Sequence, residues 1–237
     1  MGETSLDRAS NWGRRALSSL LDLVFPRHCA GCGRPGEVWC SICENQVYTF
    51  PAQACQKCFC ALPDKDIYCP DCRSSLDEPL IASYAAYQGP LRRALLSLKY
   101  RPDRELANLM AGWLAGRWRA SGWMATRVVP VPLAQERQYQ RGFNQAELLA
   151  QALASQLALP CSPGALRRSR NTSSQVGLNH DERWQNVYGA FEGNPKFVSG
   201  QRLLLVDDLY TTGATMRACQ RALGGAEKVF GLTVARA

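Results

Sequence analysis

The feature that most narrows what this chain can fold into is the stretch Arg202–Ala218, RLLLVDDLYTTGATMRA. Leu203, Leu204, Leu205 and Val206 form an unbroken aliphatic run. A run that short reads as a strand covered on both faces, as in a parallel sheet. Two adjacent carboxylates, Asp207 and Asp208, follow, then Leu209-Tyr210 and Thr211-Thr212-Gly213-Ala214-Thr215. A helical pattern begins after them, through Met216, Ala218, Cys219 and Leu223. Thr211, Thr212 and Thr215 supply hydroxyls, and Gly213 lets the backbone approach a ligand closely. A tight loop that opens a helix presents N–H groups and the positive end of the helix dipole, which suits a phosphate. Two carboxylates would repel that phosphate; they suit vicinal hydroxyls or a metal-chelated sugar beside it. A ribose 5-phosphate combines both features.

The second constraint is cysteine spacing. Nine of the eleven cysteines lie between residues 29 and 72, eight of them as four Cys-x-x-Cys pairs. The pairs are Cys29/Cys32, Cys40/Cys43, Cys55/Cys58 and Cys69/Cys72, and Cys60, Cys161 and Cys219 are left over. A Cys-x-x-Cys knuckle aims two sulfurs at one ion, and two knuckles complete a tetrahedral four-thiolate zinc site. This segment has few large apolar residues, so metal would supply its folding free energy. Sequential pairing groups Cys29, Cys32, Cys40 and Cys43 around one Zn²⁺ and Cys55, Cys58, Cys69 and Cys72 around another; interleaved pairing stays open. Eight thiols leave no ligand position for water, so the zinc reads as structural.

Composition bounds the rest. The 237 residues are 46% hydrophobic, enough for one medium domain and a small one. No apolar run approaches the ~20 residues of a membrane span, and Ala16 to Phe25, interrupted by Asp22, makes a poor signal peptide, so a cytoplasmic chain is expected. The net charge of +8 is uneven: residues 81–175 hold thirteen Lys+Arg against four Asp+Glu. Phosphate-rich partners follow, a small polyphosphate or a nucleic acid. Two zinc ions on eight thiolates would lower the net charge to about +4, which weakens an argument for nucleic acid from charge alone.

Along the chain, residues 1–28 carry an amphipathic helix over about Arg14 to Phe25, residues 29–76 the zinc module, and 80–237 the α/β domain, with Asp77 to Pro79 as linker. Strands are expected at Ile81–Tyr87, Arg127–Val131 and Lys228–Val234, and helices from Pro90 to Tyr100 and from Asp103 to Arg119. Trp113, Trp118 and Trp123 read as packing residues. After Pro130-Val131-Pro132 a long loop carries Arg137 and Arg141, and Asn144 with Glu147 offers a capping box for the next helix. Loops at the C-terminal ends of strands build ligand sites in α/β sheets, which gives these arginines a binding role. Residues 166–189 are polar and weakly periodic, as in a disordered segment or an active-site lid. His180 reads as incidental.

The Arg202–Ala218 stretch resembles the PRPP-binding motif of type I phosphoribosyltransferases. The whole chain resembles the ComF family, including its GntX-like members, through the four Cys-x-x-Cys pairs, Leu98-Lys99-Tyr100, Val129-Pro130-Val131-Pro132, Arg141-Gly142-Phe143-Asn144-Gln145, Gln175, Arg183 to Phe191, and Val206 to Thr215. The resemblance implies a Rossmann-like type I phosphoribosyltransferase domain with a mainly parallel sheet, behind a small zinc-ribbon-like module. It places Asp207 and Asp208 on the ribose hydroxyls and Thr211, Thr212, Gly213, Ala214 and Thr215 around the 5-phosphate, with Mg²⁺ accompanying PRPP. It also implies a link to DNA uptake in natural transformation or to use of external DNA. Two departures stand out: residues 166–189 lack the lysine that orotate-type enzymes carry in their mobile loop, and Phe59 replaces the glycine that usually follows a knuckle's second cysteine.

Two functional classes remain. One is an enzyme in which Arg137 and Arg141 hold the pyrophosphate leaving group while a nucleophile attacks C1 of the ribose. The other is a non-catalytic module that senses PRPP or a nucleotide, or binds single-stranded DNA. The acceptor and a homodimer are left open by the residues.

Overall fold

The computed structural model describes residues 27–51, 55, 62, 80–169 and 189–237. The expected helix over Arg14 to Phe25, the ligands Cys58, Cys69 and Cys72, Phe59, Cys60, the linker 77–79, His180 and most of the polar segment (170–188) lie outside them.

In chain order the elements are α1 (Ser41–Glu44), β1 (Leu80–Ala86), α2 (Gly89–Tyr100), α3 (Arg104–Ser121), β2 (Arg127–Pro130), α4 (Gln135–Arg141) and α5 (Gln145–Leu157). They continue with β3 (Leu166–Arg168), β4 (Phe191–Gly193), α6 (Pro195–Val198), β5 (Arg202–Tyr210), α7 (Ala214–Ala222) and β6 (Lys228–Arg236). Strands β1, β6, β5 and β2 form one sheet in that order, and each neighbouring pair is parallel. The aliphatic run is the interior strand β5, and Leu203, Leu204, Leu205 and Val206 are at most 1% exposed.

Burial on both faces follows from the two-residue period of a strand. Leu204 and Val206 pack with Leu91, Leu95 and Leu98 of α2, Leu106, Met110 and Leu114 of α3, and Leu149 and Leu153 of α5. Leu203 and Leu205 point the other way, into Met216, Cys219 and Leu223 beside α7 and Phe191 of the β3–β4 ribbon. Burying each such leucine contributes about 1.5–3 kcal/mol. A buried hydroxyl pair, Ser83 Oγ to Thr233 Oγ1 at 2.6 Å, ties β1 to β6 inside the sheet.

Helix ends follow local chemistry. Asp103 caps α3 by accepting from the Leu106 N–H at 2.9 Å, and Gly122 closes it at φ 65°. Asn144 caps α5 through the Ala146 N–H at 3.0 Å, whereas Glu147 accepts from Gln151 Nε2 (3.1 Å), so the cap forms without the expected return bond of a capping box.

The zinc module docks on the outer edge of β1. Thr49 bridges Ala85 in antiparallel fashion, with Phe50 N–H to Tyr84 O at 3.0 Å and Ala86 N–H to Tyr48 O at 2.9 Å, which covers an otherwise bare sheet edge. Trp113 stacks on Tyr84 at 5.0 Å and meets Trp39 edge-on at 5.4 Å. Trp118 and Trp123 pack against Phe230. Trp113, Trp118 and Trp123 are packing residues, as expected.

Three further expectations need correction. The strand does not stop before the acidic pair: β5 runs to Tyr210, because the ladder with β6 continues through Asp207↔Thr233 to Tyr210↔Arg236. Arg137 and Arg141 sit on the short helix α4, not in an irregular loop; Gly142, at φ 75°, ends that helix by donating to Gln138 O. Within the polar segment, Leu166–Arg168 is a strand paired antiparallel to Phe191–Gly193, because its ladder partner lies beyond any local window.

Candidate functional site

Parallel strands put their C-terminal ends on one edge, and there β2 and β5 run side by side, with Val131 N–H on Val206 O at 2.9 Å. The chain leaves β2 as Val131-Pro132-Leu133-Ala134 and enters α4, while β5 ends in the threonine-rich loop. Between them lies a cleft of ≈180 Å³ lined by Asp207, Asp208, Thr211, Thr215, Arg137 and Arg141. Six of the residues singled out from sequence thus converge from three elements. Thr212, Gly213 and Ala214 support the loop behind it. Thr212 Oγ1 accepts from the Ala214 N–H at 3.4 Å, and Gly213 caps α7 at φ 78°. Arg217 Nη2 donates to Thr212 O at 3.1 Å.

The cleft also contains Lys99, Asn144, Gln145 and Arg168. Lys99, from the last turn of α2, reaches Asp208 Oδ2 at 3.1 Å. Gln145 Nε2 makes a long 3.5 Å contact to Asp208 Oδ1, and its Oε1 accepts from Arg141 Nη1 at 3.1 Å. The Arg141 guanidinium lies 5.7 Å from the Tyr100 ring centroid. Arg168 enters from β3, its guanidinium 5.3 Å from the Phe191 ring centroid. In sequence Lys99 resembles an ordinary dipole-complementing cation at a helix C-terminus, and Arg168 is one of four arginines in a polar stretch. The markers Leu98-Lys99-Tyr100 and Arg141–Gln145 were the available signals for three of these side chains, Lys99, Asn144 and Gln145.

Burial, and then the neighbouring Asp208 charge, push the Asp207 carboxyl well above its usual range, although its Oδ1 accepts the Asp208 N–H at 2.8 Å. Burial alone would lower the Lys99 ammonium pKa; the Asp208 charge 3.1 Å away leads the influences that outweigh it, and the net direction is upward. Burial lowers the Arg168 pKa, and nearby Arg137 adds to that. Four cations against two carboxylates, one of them resisting ionisation, suit an anionic guest.

At the other end of the described chain, Cys29, Cys32, Cys40 and Cys43 bring all four sulfurs within 4.8 Å of one another. Cys29 Sγ lies 3.6 Å from Cys43 Sγ, and Cys32 Sγ lies 3.7 Å from Cys40 Sγ. A tetrahedron with metal–sulfur bonds of about 2.3 Å has edges of about 3.8 Å, so the donor set fits Zn²⁺. The Cys40 N–H points at Cys29 Sγ (3.4 Å). Burial pushes the Cys29 thiol upward, but backbone bonds from Cys40, Gly31 and Cys32 overcome it and bring it to about 6; burial and the neighbouring sulfurs push Cys43 up. Gly31 has no room for a side chain: a Cβ would sit 2.7 Å from Cys43 Sγ and 2.8 Å from Pro90 Cβ. This grouping is the sequential one. Cys55 is fully buried, and its expected partners lie outside the described residues.

Sheet order and cleft define the class: an α/β domain with a parallel sheet and a polar cleft at the C-terminal edge of its strands, carrying an N-terminal four-cysteine zinc ribbon. Residues 20–76 match the double zinc ribbon domain family. The chain is 31% identical over 210 residues to Competence protein F of Haemophilus influenzae, covering 84% of this chain and 90% of that protein. It is 31% identical over 207 residues to DNA utilization protein YhgH of Escherichia coli K12, covering 82% and 89%. To Competence protein ComFC of Bacillus subtilis it is 28% identical over 215 residues, 86% of each chain. The chain belongs to the ComF family. Among solved structures it is similar to the glutamine phosphoribosylpyrophosphate amidotransferase from B. subtilis complexed with ADP and GMP, at 21% identity and TM-score 0.42, covering 59% of this chain and 30% of that one. Adenine phosphoribosyltransferase from Leishmania donovani aligns over 65% of this chain and 70% of its own, at 14% identity and TM-score 0.33. No helix among the described residues is long and apolar enough to cross a membrane.

Proposed function

We propose that the cleft binds PRPP or a closely related 5-phosphoribosyl ligand, and that the chain is a phosphoribosyltransferase-like protein serving DNA uptake or the use of external DNA. One observation carries this reading: the carboxylates of β5, the hydroxyls of Thr211 and Thr215, and the guanidinium groups of Arg137 and Arg141 share a single cleft. A 5-phosphate fits the loop that opens α7, where hydroxyls and helix N–H groups converge. The ribose diol fits the carboxylate end. The pyrophosphate fits α4, whose arginines offer paired donors to phosphate oxygens. In a transfer reaction the C1–oxygen bond to pyrophosphate breaks, the arginines take up charge on the leaving group, and an acceptor's electron pair forms the new bond at C1. The protein's part is positioning and charge stabilisation. Mg²⁺ bound together with the ligand would neutralise pyrophosphate charge.

On this reading residues 29–76 are a double zinc module, with Cys29, Cys32, Cys40 and Cys43 on one structural Zn²⁺ and Cys55, Cys58, Cys69 and Cys72 on the other. Residues 1–28 carry the amphipathic helix over about Arg14 to Phe25, 80–237 are the ligand domain, and the compartment is the cytoplasm. The relatives' names, which refer to competence and DNA utilization, support the process. Titration calorimetry with PRPP and Mg²⁺, run beside a pyrophosphate-release assay across candidate acceptors, tests the reading. Binding with release supports a transferase; binding without release supports a sensor; absence of binding to PRPP and to ribose 5-phosphate refutes both.

A further inference from the structure

The two aspartates differ in their surroundings. Asp208 continues the face of Leu204 and Val206, toward α2 and α5, whereas Asp207 continues the face of Leu203 and Leu205. Asp208 Oδ2 lies 3.1 Å from the Lys99 ammonium, an ion-pair contact without hydrogen-bond geometry, Oδ1 meets Gln145 Nε2 at a long 3.5 Å, and the side chain is only 7% exposed. Asp207 Oδ1 meets a backbone N–H, and the residue still lines the cleft.

Lys99 is equally particular. It follows Leu98, the last fully buried residue of α2, and its side chain is 20% exposed. Among the described residues Asp208 is its only ion-pair partner. An ammonium has three donors, and one contact to Asp208 leaves others for a guest in the cleft it lines. Gln145 links the same carboxylate to Arg141, so one chain of contacts runs Lys99–Asp208–Gln145–Arg141 from α2 through β5 and α5 to α4.

Building on the phosphoribosyl reading above, we propose that Lys99 is a ligand-binding cation contacting the pyrophosphate oxygens, and that Asp208 is a positioning residue acting through Lys99 and not on the ribose hydroxyls. The diol is left to Asp207. Lys99 thereby supplies a lysine to the cleft from a helix packed in the core. Pinned by Asp208, the ammonium keeps one place beside the arginines in place of swinging into solvent. Its partner's charge is neutralised at the same time, so that carboxylate does not repel the incoming anion.

The test is a double-variant cycle on the full-length protein with Mg²⁺-PRPP, read by calorimetry, with thermal melts alongside. Lys99→Met should weaken PRPP binding roughly 10- to 100-fold, the effect of one lost charge-assisted contact, and Lys99→Arg should recover most of it. With the ammonium gone, Asp208 has nothing to position, so Lys99→Met/Asp208→Asn should bind no worse than Lys99→Met. Asp207→Asn added to Lys99→Met should weaken binding further. If Lys99→Met fails to fold around its stranded carboxylate, the doubly neutral variant against wild type carries the comparison. Wild-type affinity in Lys99→Met overturns the proposal. So does a further tenfold loss on adding Asp208→Asn, which would place Asp208 on the ligand itself. If the wild-type protein binds no PRPP, the functional reading falls and this inference with it.

Discussion

Replacing Gly213 by alanine adds one methyl group, and the structure gives its cost two sources. Gly213 sits at φ 78°, where an L side chain is strained by about 1–2 kcal/mol. A Cβ there would also stand 2.3 Å from Tyr210 Oη, 2.8 Å from Cζ and 3.1 Å from Cε2. Tyr210 cannot simply swing away, since it is 8% exposed and the Arg236 guanidinium lies 4.7 Å from its ring centroid. Overpacking of that kind costs about 1–3 kcal/mol. Gly116, in the middle of α3, faces solvent with no atom within 4 Å of a built Cβ, and there the same methyl should stabilise by about 0.5–1 kcal/mol. The same chemical change thus has opposite signs at two sites. In differential scanning calorimetry, at about 2–4 °C per kcal/mol for a domain of this size, Gly213→Ala should lower the α/β transition by roughly 4 °C or more. Gly116→Ala should raise it by about 1–4 °C. Gly213→Ala should also weaken ribose 5-phosphate binding, because the cap of α7 shifts. Adding Tyr210→Phe removes the nearest contact and should recover part of the loss but not the φ strain. An unchanged or raised transition for Gly213→Ala would show that this loop is not held as described.

Arg141→Ala should weaken Mg²⁺-PRPP binding roughly 10-fold or more while sparing ribose 5-phosphate, which has no pyrophosphate; equal losses in calorimetry would remove α4 from the pyrophosphate site. Asp207→Asn should raise the melting temperature of the ligand-free protein at neutral pH. Its folded-state pKa is raised, so ionising it opposes folding above the unfolded carboxyl value of about 3.9, and the variant's gain should vanish below that pH. A pH series of melts with no such crossover would contradict the described environment. Elemental analysis should find about two Zn²⁺ per chain, and Cys32→Ser should release one of them; retention of both would exclude Cys32 as a ligand. Burial pushes the Cys161 thiol up to about 11 and Cys219 well upward, so in the native, zinc-loaded protein neither should react with iodoacetamide at neutral pH. Mass spectrometry showing either labelled first would contradict that burial.

The sequence alone was enough for the parts of this protein written in neighbouring residues. An aliphatic run of strand length has to be covered on both faces, so Leu203–Val206 had to be interior. A Cys-x-x-Cys pair can reach one ion, so the spacing called for zinc, but sequential and interleaved pairing both stayed open until the fold brought Cys29, Cys32, Cys40 and Cys43 together. Hydroxyls and a glycine ahead of a helical pattern call for a tight loop that opens a helix, and Gly213 caps α7 there because that geometry is local to a few residues. What the sequence could not hold is side-chain pairing across long separations. Lys99 and Asp208 are 109 positions apart and meet only because α2 packs on the face that Leu204 and Val206 also line. Leu166–Arg168 looked irregular because its ladder partner lies beyond position 190. The two aspartates read as an equivalent pair in one dimension. The alternation of the strand turned one toward a lysine and the other along the opposite face, and only the packed sheet decided what each would meet.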